Sequence, residues 1–150
     1  LICTNTMHKV AEQVENAVDI PLLHIVDATA DVLVQTNTKK VGLLGTSFTM
    51  EQEFYKGRLS EKHGIDVVVP DVPDRKLVHD VIYKELCLGI VKQSSKREYM
   101  RIVDNLTHMG AEGVILGCTE IGMLIDQNDT DTTLYDTTKI HAAKAVEWAI

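Results

Sequence analysis

The feature that most constrains this chain is an alternation. Short runs rich in Val, Ile and Leu recur at residues 41–44, 65–69 and 114–116, and segments with helical periodicity separate them. An apolar run of that length suits a strand covered on both faces, and strands joined by helical crossovers pair in parallel. Residues 49–62 read as a helix ended by Gly64, and residues 73–88 as a helix with Pro73 in its first turn. A long helix capped by Ser94 or Ser95 runs to His108 and is closed by Gly110. At the ends of the chain, residues 1–3 read as a strand stub, 7–18 as a helix, 22–25 as a short strand and 27–35 as a helix. Residues 133–135 read as extended and 138–150 as an Ala-rich helix. The expected fold class is α/β, with parallel-type sheets flanked by helices.

Three of the expected strands end in a small polar cluster. These are Cys3-Thr4-Asn5-Thr6, Gly45-Thr46-Ser47-Phe48-Thr49 and Gly117-Cys118-Thr119-Glu120. In parallel α/β sheets, ligands bind beyond the carboxyl ends of the strands, where helix N-termini present free N–H groups. Hydroxyls and amides gathered there suit a small anion such as a carboxylate. Helix capping by the same residue types is the simpler account of any one cluster. Three clusters and a thiol together point to a site.

Cys118 stands where an apolar run stops rather than inside it. At a strand–helix junction the helix N-terminus is expected to lower its pKa. Cys87, in KELCLG, occupies an apolar helical position and reads as packing. Cys3 precedes Thr4, so strand alternation points the two side chains apart. Leu124 stands six positions after Cys118, where a Cys-x5-Arg phosphate loop requires arginine, and no local signature of a cysteine protease is present. What remains for a strand-end thiol is acid/base chemistry.

The formal charge of −7 argues against nucleic acid or an anionic membrane as partner. No apolar run approaches the roughly 18 residues a membrane span needs. Three widely spaced cysteines form neither a disulfide framework nor a zinc pattern, so a reducing, cytoplasmic setting is expected.

Four stretches, CTNTMHK at residues 3–9, LLGTSFTM at 43–50, GVILGCTEI at 113–121 and YDTTKIHA at 135–142, together resemble the aspartate/glutamate racemase family in matching order. The resemblance implies a cofactor-independent racemase of two similar α/β domains with its site in the cleft between them. It also implies a homodimer and a small amino-acid substrate. In the family one acid/base residue faces each side of the substrate Cα, and both are typically cysteines. Cys118 matches one; Thr4 stands at the other, with Cys3 one position out of register. Racemisation removes a proton from one face of Cα and returns one to the other, and without a pyridoxal electron sink the carbanion relies on hydrogen bonds and a dry site.

By the resemblance, Asn5, Thr6 and Thr119 flank the acid/base positions, Thr46 and Thr49 match a Gly-Thr-x-x-Thr substrate loop, and Lys92 is the candidate for a distal carboxylate. The Gly-Cys-Thr cysteine is usually assigned to the L-face, so Cys118 is expected to deprotonate the L-amino acid and Thr4 to help reprotonate it. His8 is expected either to tune position 4 or to be a surface or capping residue of the first helical turn. Family members are longer by about half a domain, and the chain opens Leu1-Ile2-Cys3 without an initiator Met, so an N-terminal segment is expected to be missing. On that reading residues 1–36 and 133–150 belong to a first domain and 37–132 form a second. A hydantoin racemase, maleate isomerase or decarboxylase would use the same strand-end thiol, and a non-catalytic amino-acid-binding module would keep the pocket alone.

Overall fold

The computed structural model describes residues 1–150. Strands β1 (Lys40–Gly45), β2 (Asp66–Val68), β3 (Gly113–Gly117) and β4 (Thr133–Asp136) form one parallel sheet in the order β2-β1-β3-β4. The helices are α1 (Ala11–Ala17), α2 (Ile25–Gln35), α3 (Ser47–Glu51), α4 (Glu53–Gly57), α5 (Val72–Lys84), α6 (Gln93–His108) and α7 (Thr137–Ala149).

Strand alternation divides the core in two. Leu44, Val114 and Leu116 face α5 and α6, where they meet Val78, Ile82, Tyr99, Ile102 and Leu106. Val41, Leu43, Ile115 and Tyr135 face the other way, against Ile25, Val26 and Leu33 of α2 and Tyr55 of α4. Because both faces are covered, β1 and β3 read as unbroken apolar runs. Each large side chain fully buried in this way contributes roughly 1.5–3 kcal/mol.

The structure departs from the sequence reading at several places. Residues 1–3 and 22–25 are not strands. The sheet is completed by β4 without them, and His24 instead caps α2, its Nδ1 accepting from the Val26 N–H at 3.2 Å. The helix expected over 49–62 is three pieces. Gln52 adopts extended backbone (φ −88°, ψ 151°) between α3 and α4, and a π-helical turn, Arg58–Lys62, follows. The helix expected over 73–88 ends at Lys84, and a 3-10 turn (Leu86–Leu88) is closed by Gly89 at φ +72°. Lys92, not a serine, is the N-cap residue of α6, and Ser95 Oγ donates to Glu85 Oε2 at 2.6 Å. At the end of the chain, β4 pairs with β3 and α7 packs against α2.

This topology places a crevice. From β1 the chain crosses to β2 on one side, and β3 returns on the other, so the loops leaving β1 and β3 diverge from neighbouring strand ends. Gly45 and Gly117 are register partners at those ends. A Cβ on Gly45 would lie 3.0 Å from Gly117 O, and one on Gly117 would lie 2.9 Å from Leu44 O. Only glycine lets the two backbones come this close, which is why both polar clusters begin with it.

Candidate active site

A cleft of about 390 Å³ opens over the ends of β1 and β3, within the range of roughly 300–1,000 Å³ usual for small-molecule sites. Its lining includes Cys3, Thr4, Asn5 and Thr6 from the N-terminal loop, Thr46 from the β1 loop, and Cys118, Thr119 and Glu120 from the β3 loop. Six of the eight residues singled out from the sequence therefore meet here. Thr49 lies beneath the cleft, fully buried, with its hydroxyl 3.4 Å from that of Thr46. Lys92 does not reach the cleft, because its ammonium is held by Glu85 Oε1 at 3.2 Å.

The local geometry gives each group a definite state. The Met7 N–H donates to Thr4 Oγ1 at 3.2 Å, which leaves the Thr4 hydroxyl proton free to donate into the cleft. Below it, Thr4 O accepts from His8 Nδ1 at 2.7 Å, while His8 Nε2 accepts from the Ile25 N–H at 3.2 Å. That pairing sets the tautomer: the His8 proton is on Nδ1. Burial pushes the His8 pKa down, which keeps this neutral form in place. His8 thus anchors the backbone of Thr4 to the start of α2. The hydroxyls of Thr6, Thr46 and Thr49 form a chain of contacts from the cleft surface into the core, with Thr6 Oγ1 and Thr46 Oγ1 3.3 Å apart.

Cys118 corrects the expectation of a lowered pKa. No α-helix follows it, only a 3-10 turn, Ile121–Met123, so there is no macrodipole to stabilise a thiolate. Burial, reinforced by the hydrogen bond to the Glu120 carboxylate, pushes the thiol up to about 12. Sγ donates to Glu120 Oε2 at 2.9 Å. Burial acts to raise the Glu120 pKa, but the hydrogen bonds from the Cys118 thiol, from the Thr119 side chain and from the backbone together outweigh it and hold the carboxyl below its ordinary value. The free site therefore holds a protonated thiol against a carboxylate. Glu120 is the partner of the thiol.

Three lining residues were missed: Ile82, Tyr83 and Cys87. The apolar spacing of 73–88 read Cys87 as packing. The helix ends early, and the turn closed by Gly89 leaves Cys87 exposed at the cleft. No local signal distinguishes that thiol from a core cysteine.

The cleft thus sets a strand-end thiol and a hydroxyl-bearing loop around one crevice, and the family model for Asp/Glu/hydantoin racemase matches residues 1–145. The chain belongs to the Asp/Glu/hydantoin racemase family. The structure is similar to a putative Asp/Glu racemase from Yersinia pestis, with 52% identity and a TM-score of 0.94 over 98% of this chain and 64% of that one. It is also similar to an aspartate racemase homologue from Pyrococcus horikoshii OT3, with 37% identity and a TM-score of 0.87 over 97% of this chain and 64% of that one. A glutamate racemase from Streptococcus pyogenes is 30% identical over 127 residues, covering 80% of this chain and 44% of that enzyme. This racemase-family chain thus spans less than two thirds of each of these relatives.

Proposed function

We propose that the protein racemises an acidic amino acid, aspartate or glutamate, without a cofactor, by moving a proton between the two faces of Cα. The observation that carries this reading is that the Cys118 thiol and the Thr4 hydroxyl, from loops far apart in sequence, line one cleft. In the forward step the Cys118 proton passes to Glu120, the thiolate takes the Cα proton of the L-amino acid, and the Thr4 O–H protonates the carbanion from the other side. Glu120 then releases the proton it took to water, and Thr4 takes one up from water, so the site returns to its starting state. The hydroxyls of Thr6, Thr46 and Thr119 and the amide of Asn5 surround the substrate's polar groups. A threonine hydroxyl is a competent donor but a poor base. Initial rates from the L-enantiomer are therefore expected to exceed those from the D-enantiomer, while the equilibrium stays at unity.

The test is proton NMR of L-aspartate and L-glutamate in deuterated water. Exchange of the α-proton with formation of the D-amino acid, abolished by Cys118→Ser, is the expected result. The protonated resting state of Cys118 favours one second reading, a module that binds amino acids without turnover. Binding without exchange would establish that reading. Exchange on a hydantoin, or turnover of maleate, with none on amino acids would move the chain to one of the related thiol-dependent chemistries.

A further inference from the structure

Thr137, the first residue of α7, lies outside the cleft lining but is fully buried behind it. Its hydroxyl has one proton, and that proton is donated to Leu116 O at 2.8 Å. A carbonyl oxygen can only accept, so toward Asn5, 3.1 Å away, Thr137 Oγ1 can only accept in turn. This decides which way the Asn5 amide faces. Nδ2 is turned to Thr137, and Oδ1 is the other prong. Asn5 is 4% exposed and lines the cleft, and its Oδ1 is buried with no hydrogen-bond partner. An unsatisfied buried acceptor is costly and marks a place where a donor is wanted.

The charge of the cleft identifies that donor. No Lys or Arg is among its lining residues, and the one carboxylate there is Glu120. An acceptor oxygen in a cleft whose one charged lining residue is a carboxylate repels the carboxylate end of a zwitterion and favours its ammonium end. We infer that Thr137 is a positioning residue that locks the Asn5 amide so that Oδ1 serves as an acceptor for the substrate's α-ammonium group. This deepens the racemase reading and rests on it for the identity of the substrate. The same hydroxyl is bonded to the end of β3 two residues before Cys118, and Asn5 follows Thr4 directly. Thr137 therefore braces both acid/base segments against the start of α7. The role also accounts for a threonine after Asp136, since Asp136 alone caps the helix, its Oδ1 accepting from the Thr138 and Lys139 N–H groups.

The experiment compares calorimetric binding of L-aspartate and of succinate, which has the same two carboxylates and no amine. The proteins are the wild type, Thr137→Val, Thr137→Ala and Thr137→Ser, each checked for folding by circular dichroism. The wild type is expected to prefer L-aspartate. Both variants lacking the hydroxyl should lose that preference by about tenfold or more, the scale of one hydrogen bond to a charged group. Their affinity for succinate should stay unchanged, and Thr137→Ser should keep the preference. Equal affinities of the wild type for the two ligands, or no affinity for either, overturn the inference. So do parallel losses for both ligands in the variants, an unchanged preference in Thr137→Val and Thr137→Ala, or failure of serine to rescue. Deuterium exchange measured on the same samples reports separately on racemisation. Absent exchange with a preference that depends on Thr137 would sink the racemase reading and leave the ammonium subsite standing.

Discussion

Cys118 and Glu120 share one proton across 2.9 Å, and that contact governs when the thiol can act as a base. Burial and the neighbouring carboxylate both favour the protonated thiol, so the two effects add. In a variant with Cys3 and Cys87 replaced by serine, the ultraviolet absorbance of the Cys118 thiolate is expected to rise only well above the ordinary cysteine value of about 8.5. Adding Glu120→Gln removes the carboxylate but leaves the burial, so the midpoint should move down without returning to that value. A wild-type midpoint at or below that of a free thiol would contradict this account of the site. The same substitution removes the acceptor for the thiol proton. Exchange of the Cα proton should therefore fall in Glu120→Gln by roughly 10²-fold or more, the contribution usual for a positioned proton-transfer group. An unchanged exchange rate would remove Glu120 from the mechanism.

Among the elements, the segment after α3 depends most on tertiary contacts. Asp27 of α2 receives Arg58 through two hydrogen bonds (2.8 and 2.7 Å), Lys62 at 2.6 Å and His63 at 2.9 Å. These partners stand on or next to the π-helical turn, so one carboxylate fastens that turn to α2. Burial acts to raise the Asp27 pKa, but the hydrogen bonds from Arg58, Lys62 and His63 outweigh it and hold the carboxyl well below its usual range. A depressed carboxylate stabilises the fold above its unfolded pKa of about 3.9, and that stability is lost as pH falls below it. Asp27→Asn should cost about 1–2 kcal/mol at pH 7, a value kept small because the group is partly solvated. It should cost progressively less in acid, as urea unfolding at pH 7 and pH 3 would show; an equal loss at both would reject the network as the cause. The sequence could not announce this turn. Phe54, Tyr55 and Leu59 continue a helical spacing, and the break at Gln52 follows from docking on α2. β1 and β3 were legible because burial on both faces imprints a continuous apolar run. Residues 1–3 carry the same kind of run but find no strand to pair with, and pairing is a property of the whole sheet. The cleft residues were legible where a glycine-led polar cluster ended a strand. Cys87, Tyr83 and Ile82 reach the cleft from α5 and the turn after it, which no local pattern records.

At the scale of the whole molecule, the adjacency of β1 and β3 assembles the cleft, and the overall charge decides what enters it easily. The chain carries a formal charge of −7, and the charged residue lining the cleft is Glu120. Aspartate and glutamate are net anions at neutral pH, so they approach against a field of their own sign. That field is screened over about 30 Å at 0.01 M salt and about 8 Å at 0.15 M. For an acidic amino acid, kcat/KM from α-proton exchange should therefore rise as potassium chloride increases across this range. The change should lie mainly in KM, because screening alters encounter and not the chemistry of the bound state. A neutral zwitterion such as alanine feels no net repulsion and serves as the control, its binding expected to be insensitive to salt. A kcat/KM for aspartate that falls with salt would mean that a cation outside the cleft lining draws the distal carboxylate in. In that event Lys92→Ala and Lys9→Ala would separate two nearby sources: Lys92, now held by Glu85, and Lys9, whose ammonium lies 5.7 Å from the Phe48 ring centroid.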